Sequence, residues 1–159
     1  MFIDGGGKQM ELTTNRLRLI PCTSQSLHIA SSSTEYELGD HIYSYLEILE
    51  KDPSLLGWGA WFVIEKESDT VIGDMGFKGK PDSEKTVEIG YGIVPSKQGK
   101  GYATEAAKEL IQWAFSSGNV NRVVAECLEN NIPSIRVLEK LGMERVGLEG
   151  NMIKWELLK

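Results

Sequence analysis

The sequence predicts an α+β fold, with a mixed and mostly antiparallel sheet of about seven strands, one parallel βαβ unit and helices on both faces. Two observations carry this prediction. Three strand-like segments separated by short turns follow one another between residues 60 and 94, which is typical of an antiparallel meander. A strand, a helix and a second strand then span residues 85–128, and a crossover of this length makes the two strands parallel.

The segments before the meander predict one strand and two helices. Apolar and charged side chains alternate over residues 12–21, which is the period of a strand. Thr23 and Ser24 offer an N-cap for a short helical segment over residues 24–31. Apolar residues recur at the helical period over residues 36–51, and Asp52-Pro53 ends this helix. The meander then takes residues 60–65, 70–77 and 85–94.

The segments after the meander alternate between helix and strand. Residues 102–117 repeat apolar side chains at the helical spacing and are followed by Gly118, a common helix-terminating residue. Residues 122–128 form a strand. A further helix starts at Asn131-Ile-Pro-Ser134 and stops at Gly142. Residues 143–148 and 152–158 close the sheet as a hairpin around Glu149-Gly-Asn151.

Length and composition predict one soluble domain, since the chain has 159 residues, 41% apolar and 25% charged. We expect residues 1–9 to be a flexible leader or a remnant of an expression vector, and residues 10–159 to form the domain. The sequence has no apolar run near the ~20 residues of a membrane span and no secretory signal pattern. The net charge of −6 argues against a nucleic-acid partner. Cys22 and Cys127 lack partner spacing, so we expect free thiols in a reducing cytoplasm.

The residues from Val87 to Ala107 carry the strongest functional signal. Over residues 87–94 apolar side chains alternate with Glu88, Gly90 and Gly92, so one face of this strand is almost bare. Glycines in a strand indicate the close approach of a ligand or of another backbone. The Q-G-K-G run at residues 98–101 then precedes a helix, whose first amides are free to bind an anion. Together these features predict a site for an extended, anionic ligand.

Other phosphate-binding motifs fit this stretch poorly. A P-loop requires Ser or Thr after Gly-Lys, whereas Gly101 follows Lys100. A dinucleotide fingerprint requires a third glycine where Thr104 stands, together with alternating strands and helices that the meander does not provide. A loop with a purely structural role remains the alternative.

Two motifs resemble those of a known family. Residues 88–106, E-I-G-Y-G-I-V-P-S-K-Q-G-K-G-Y-A-T-E-A, resemble the acetyl-coenzyme A motif of the GNAT N-acetyltransferase superfamily. Its pattern, Gln/Arg-x-x-Gly-x-Gly/Ala, is filled by Gln98, Gly101 and Ala103. Residues 131–143, N-I-P-S-I-R-V-L-E-K-L-G-M, resemble the family's following motif. With R-L-R-L-I near the N-terminus, the chain most resembles the branch that acetylates N-terminal residues of ribosomal proteins, over nearly everything after Met10.

The resemblance implies acetyl-CoA as the acetyl donor and no metal. The pantetheine arm would bind strand backbone where two parallel strands splay apart, and the pyrophosphate would lie on the amides of residues 99–104. An amine would attack the thioester directly, so no nucleophile of the enzyme is needed. The cofactor-binding residues that it implies are Ile93, Val94, Gln98, Gly99, Lys100, Gly101, Tyr102, Ala103, Thr104 and Asn131.

Two residues are candidates for moving protons. Glu88 shares the bare strand face, which makes it the candidate base, acting through water; a solvated carboxylate without a role is the alternative. Many family members place a tyrosine in the second helix to protonate the thiolate, but Leu138 occupies the equivalent position here. The resemblance to the ribosomal-protein branch transfers this role to Ser134, with helix capping or packing as the alternative.

The expected function is N-acetylation of a primary amine, first of all the α-amine of a protein or peptide N-terminus. An α-amine has a pKa near 7.7–8.0 and lysine near 10.4, so the α-amine is easier to deprotonate. A small-molecule amine is the alternative acceptor, and a non-catalytic acyl-CoA sensor is the alternative of another class. We expect a monomer or homodimer.

The remaining candidates have commoner structural explanations. Trp58, Trp61 and Tyr43 either line the acceptor pocket or pack in the core. His28 and His41 are isolated in the sequence, so neither predicts a metal site.

Overall fold

The computed structural model describes residues 10–159, so the prediction of a leader over residues 1–9 lies outside the described residues. One sheet of eight strands has the order β1-β2-β3-β4-β5-β6-β8-β7. Among the strands of residues 10–159, only the β5–β6 pair is parallel, which confirms the predicted mixed sheet with one βαβ unit. The strands are β1 Leu12–Thr13, β2 Leu17–Pro21, β3 Ala60–Glu65, β4 Thr70–Phe77, β5 Thr86–Ile93, β6 Arg122–Leu128, β7 Glu144–Glu149 and β8 Met152–Leu158. The α-helices are α1 Asp40–Lys51, α2 Tyr102–Ser116 and α3 Ile132–Lys140.

The strand predicted over residues 12–21 is broken into a small hairpin. Thr14 N–H donates to Leu17 O at 2.9 Å, so the chain turns between β1 and β2 and the sheet gains an eighth strand. The backbone N–H of Arg16 donates to the side chain of Glu105, and this bond fixes the turn against α2. The seven-strand estimate was therefore one short.

The first helices are shorter than predicted. The segment expected over residues 24–31 is a 3₁₀ helix at Leu27–Ser32, and the one expected over residues 36–51 begins only at Asp40. Gly39, with φ −80° and ψ 164°, is still extended. The buried Tyr36 is held by a hydrogen bond from its hydroxyl to Asp74, so this part of the chain lies across the sheet before α1 starts.

The two faces of the meander carry different residues. Cross-strand partners share a face, so Trp61, Met75 and Tyr91 lie on one side and Phe62, Asp74 and Gly92 on the other. The first side packs against α2, whose Trp113 ring lies 5.3 Å from Trp61 and 4.7 Å from Trp58. The second side faces α1. Within the described part of the chain, no helix is long and apolar enough to cross a membrane.

The parallel strands separate after a short pairing. β5 pairs with β6 only from Thr86 to Glu88, opposite Arg122 to Val124. Beyond this point β5 pairs with β4 alone and β6 with β8 alone. A V-shaped gap therefore opens between the two strands towards their carboxyl ends, as the family resemblance implies.

Two glycines on the second face have different surroundings, one closely packed and one open, and substitutions at them test this difference. A Cβ added at Gly76 would lie 1.9 Å from Gly59 O, whereas one added at Gly92 would meet nothing within 4 Å. We therefore expect Gly76→Ala to cost about 1–3 kcal/mol of unfolding free energy through overpacking. Gly92→Ala is expected to leave stability unchanged or slightly raised. Urea unfolding of both variants measures the difference, and equal stabilities would contradict this packing.

Candidate active site

The bare face of β5 forms the floor of an open cleft. The cleft has a volume of about 880 Å³ and lies between β4–β5 and α1. An added Cβ at Gly90 would meet only Lys78 Cε, at 3.9 Å, and one at Gly92 would enter empty space. The two glycines therefore leave room above the sheet where an acceptor could approach the backbone of β5.

Glu88 lies on this face but is already paired. Its carboxylate accepts from Lys78 Nζ at 2.8 Å, and its side chain is 32% exposed. Lys78 itself lines the cleft. A role as base requires Glu88 to act beside this ammonium group.

The start of α2 has the glycines and the free amides that an anion-binding helix N-terminus requires. Gly99 and Gly101 have φ of +75° and +83°, in the left-handed region that favours glycine. Gly101 is the N-cap residue, and no side chain caps the helix. The first hydrogen bond of the helical pattern is donated by Glu105 N–H to Gly101 O, at 3.0 Å. The amides of Tyr102, Ala103 and Thr104 in the first turn thus have no partner within the helix.

A carboxylate from α2 fixes this loop to the β1–β2 hairpin. Glu105 accepts from the Thr14 hydroxyl at 2.5 Å and from Arg16 Nε at 2.7 Å. Arg16 also donates to Lys100 O at 3.0 Å, and its guanidinium lies 4.2 Å above the Tyr102 ring. Burial raises the pKa of Glu105, but the hydrogen bonds from Thr14 and Arg16 outweigh it and hold the pKa below its ordinary value.

A second carboxylate holds the loop from β3. Glu65, only 5% exposed, accepts from the Ser68 hydroxyl at 2.6 Å, the Tyr102 hydroxyl at 2.6 Å and Lys97 Nζ at 3.1 Å. The bonds from Ser68, Tyr102 and Lys97 lower the pKa of Glu65 to about 2. The side chains of Lys97 and Tyr102 are thereby engaged within the protein, so Tyr102 has only its backbone to offer a ligand. Lys100 is exposed beside the loop.

The two residues predicted to bind the pantetheine arm, Ile93 and Val94, differ in how their backbone groups are bonded. Val94 N–H donates to Ile72 O at 2.8 Å, and Val94 O accepts from Lys97 N–H at 3.0 Å, so both backbone groups of Val94 are used. Because backbone direction alternates along an antiparallel strand, the N–H and C=O of Ile93 point to the V-shaped gap. Gln98 Nε2 donates to Ile93 O at 2.8 Å and ties the loop to the strand.

Two hydroxyl groups meet near the gap. The Tyr91 hydroxyl is buried and has no hydrogen-bond partner among residues 10–159. Burial raises its pKa, and the neighbouring Ser134 offsets part of this rise. Asn131 Oδ1 accepts from Ser134 N–H at 3.3 Å and caps α3. Leu138, where the family tyrosine was expected, is a core residue.

The cleft also holds a polar cluster that the sequence did not predict. The Tyr36 hydroxyl donates to Asp74 Oδ2 at 2.7 Å, and His41 Nε2 lies 2.9 Å from Asp74 Oδ1. These residues are far apart in the chain, so no spacing joins them. The one available signal was an aspartate in the otherwise apolar strand V-I-G-D-M-G-F.

The three aromatic residues considered for the acceptor pocket have different positions. Trp58 lines the cleft, Trp61 is fully buried in the core, and Tyr43 is 50% exposed and lies away from the cleft lining, where Tyr45 stands instead. Cys22 and Cys127 are free thiols in the core. The part of the chain that the structure describes has no cluster of three metal-ligating side chains.

Comparison with known proteins identifies the family. The sequence model of the acetyltransferase (GNAT) domain matches residues 24–144. The chain belongs to the GNAT acetyltransferase family. N-acetyltransferase YjdG of Bacillus subtilis is 35% identical over 147 residues, which cover 82% of this chain and 88% of YjdG. Ribosomal-protein-serine acetyltransferase of Escherichia coli is 35% identical over 102 residues, 64% of this chain and 55% of that protein.

A solved structure shares the fold of this GNAT protein. RimL, the ribosomal L7/L12 α-N-protein acetyltransferase in complex with coenzyme A, superposes with a TM-score of 0.73, covering 94% of this chain and 98% of RimL at 14% identity. The predicted GNAT fold and acetyltransferase class are thus confirmed. The unpaired edge of β5, the bare helix start and the partnerless Tyr91 hydroxyl fit the amide-rich, anionic acetyl-CoA that this family uses as its donor.

The buried Glu65 makes stability depend on pH. Because the folded pKa of about 2 lies below the ordinary 4.5, the stabilisation is complete above about pH 5 and is lost as pH falls towards 2. A displacement of this size is worth on the order of 3 kcal/mol. We expect Glu65→Gln to lower the melting temperature at pH 7 and to flatten its fall below pH 5. Glu84→Gln, on the exposed turn before β5, is the control. If the melting temperatures of both variants depended on pH in the same way, the stabilising role of Glu65 would be contradicted.

Proposed function

We propose that this GNAT enzyme transfers the acetyl group of acetyl-CoA to the α-amine of a protein or peptide N-terminus. The observation that carries the proposal is the meeting of two open spaces at β5: the gap beside β6 on its edge and the cleft above Gly90 and Gly92 on its face. A donor in the gap and an acceptor in the cleft would reach the same stretch of backbone from different sides.

The donor would be held mainly by backbone. Acetyl-CoA supplies an acetyl group already activated as a thioester. The N–H of Ile93, and the lone pair of Ile93 O that Gln98 leaves unused, would bind the amide groups of its pantetheine arm as a strand would. The amides of residues 99–104 would bind the pyrophosphate, with Lys100 adding charge from the exposed side of the loop. Gln98 and Asn131 would keep the two flanking segments in place, through Ile93 O and the start of α3.

The proton transfers would use groups on the two sides of β5. The amine nitrogen forms its bond to the thioester carbon, and the carbon–sulfur bond breaks. We assign to Glu88, through water, the proton that the amine loses. We assign to Ser134, with the buried Tyr91 hydroxyl beside it, the delivery of a proton to the departing sulfur. Tyr91, on β5, would thus supply the hydroxyl group that Leu138, on α3, lacks.

An N-terminal α-amine is favoured by its acidity and by the relatives. Its pKa of about 7.7–8.0 leaves an appreciable neutral fraction at pH 7, whereas lysine at about 10.4 requires ~4 kcal/mol to deprotonate. The match to a ribosomal-protein-serine acetyltransferase supports the same class of acceptor. A small-molecule amine is the second candidate, because a cleft of about 880 Å³ falls within the range of small-ligand pockets. A cytoplasmic location and a monomeric or homodimeric state stay predictions from the sequence.

Binding of acetyl-CoA tests the loop assignment. At a concentration of 100 times Kd, acetyl-CoA should stabilise the protein by ~2.7 kcal/mol and raise the melting temperature by several degrees. Gly101→Glu should abolish the shift, because a carboxylate would stand at the anion site. Gly118→Glu is the matched control, since Gly118 has nearly the same φ, +80° against +83°, at the other end of α2. An equal shift of the melting temperature in Gly101→Glu and in wild type would contradict the assignment of the pyrophosphate to this loop.

Turnover tests the catalytic assignments and the sensor alternative. CoA release should be seen with peptides that begin with Ala or Ser, and a comparison with polyamines separates the two acceptor classes. We expect Glu88→Gln and Ser134→Ala to lower kcat about 100-fold, the lower range for acid–base groups, with Glu84→Gln as control. Unchanged kcat in both variants would refute their roles. If no amine supports CoA release while acetyl-CoA still binds, the protein is a non-catalytic sensor.

A further inference from the structure

We propose that Asp74 is the binding site for the protonated amine of the acceptor, so that the enzyme selects a cationic amine over a neutral analogue. The proposal rests on the proposed function in placing the acceptor in the cleft, and it adds the residue that would recognise it. Asp74 stands in the middle of β4, lines the cleft and has a side chain 17% exposed.

The position of Asp74 suits an amine that approaches the open face of β5. Asp74 is the direct cross-strand partner of Gly92, and such partners have Cα atoms roughly 4.5–5.5 Å apart. No side chain of residues 10–159 lies within 4 Å of where a Cβ of Gly92 would be. Glu88 lies four residues along the strand from Gly92, roughly 13 Å at the usual rise per residue. Asp74 is therefore the nearer carboxylate to the open part of the face. Glu88, in its proposed role as base, would take the proton of the amine across this distance through more than one water molecule.

The two neighbours of Asp74 orient it without using all of its acceptor capacity. An ionised carboxylate accepts at about four lone-pair positions. Tyr36 takes one position on Oδ2, and His41 Nε2–H takes one on Oδ1. The other ring nitrogen of His41 lies 2.6 Å from where a Cβ of Gly39 would be, so it is turned towards the chain before α1. His41 therefore positions Asp74 and is not placed to act as a base for the acceptor.

The charge of Asp74 is not paired with a lysine or an arginine of the cleft. Lys78 is the one lysine or arginine among the described residues that line the cleft, and its ammonium is paired with Glu88 at 2.8 Å. The side of the cleft formed by α1 and the segment after it contributes apolar side chains, including Tyr45, Ile48 and Leu55. A carboxylate in such surroundings binds a cationic group more strongly than it would in water. The apolar wall would take the side chain that the amine carries.

The rival explanation is that Asp74 only ties α1 to the sheet through Tyr36 and His41. Binding of a matched pair of probes separates the two explanations. One probe is the peptide Ala-Val-Phe amide with a free α-amine, and the other is the same peptide with its amine formylated and therefore neutral. Each is titrated calorimetrically into the full-length protein with and without CoA, which cannot donate an acetyl group.

We expect wild type to bind the free-amine peptide at least tenfold more tightly than the formylated one. Asp74→Asn, which keeps the shape and loses the charge, should remove this preference. Tyr36→Phe should retain it, because the carboxylate keeps its charge. A preference that survives in Asp74→Asn, or the absence of any preference in wild type, would overturn the proposal.

A measurement on the wild-type protein keeps the test decisive if Asp74→Asn does not fold. The chain has two histidines, so two imidazole resonances are expected by NMR. The His41 resonance should move when the free-amine peptide is added and stay in place with the formylated one, while the exposed His28 should be unaffected by either. Equal responses of His41 to both peptides would also refute the site. If the wild-type protein prefers the free-amine peptide but releases no CoA from acetyl-CoA, the result would count against the proposed function alone.

Discussion

The constraint on which the rest of this protein depends is that β5 and β6 stop pairing after three residues. Both strands continue, so the edge of β5 that faces the gap presents N–H and C=O groups with no neighbouring strand. Exposed strand edges are costly and prone to pair with whatever extended chain is available. In a GNAT acetyltransferase this edge is where the amide-containing arm of the donor would complete the sheet. The glycines at positions 90 and 92 then expose the same stretch of β5 to the acceptor from above.

Two carboxylates fix the loop at residues 97–102, where we propose that the pyrophosphate binds. Glu65 holds it through Tyr102 and Lys97, and Glu105 holds it through Arg16. Each is satisfied by several donors and is ionised well below neutral pH. Both carboxylates therefore have a structural role. Loop amides that they already hold in place lose little conformational freedom when an anion binds. The Tyr91 hydroxyl, by contrast, has no hydrogen-bond partner among residues 10–159, and a ligand would supply the missing partner.

The fold and the loop were predictable because their signals are local. Strand and helix periods, Pro53 and Gly118 gave the order of elements, and the two motifs gave the family. The extra strand was missed because the break at residues 14–16 is made by Glu105, about ninety residues away. The partners of Asp74 were missed for the same reason, since Tyr36 lies 38 positions from it in sequence. The backbone bonds of Val94 were not predictable either, because strand direction at one residue is set by pairing with β4, which sequence spacing does not fix.

Amide hydrogen exchange along β5, read by NMR with and without acetyl-CoA, tests the account most directly. The Val94 amide already donates to Ile72 O, so it should be protected in the free protein and change little. The Tyr91 and Ile93 amides point to the gap and should exchange rapidly until acetyl-CoA is added, and then slow together with those of residues 102–104. Protection of residues 102–104 without any at Tyr91 and Ile93 would contradict the claim that β5 completes its pairing on the donor.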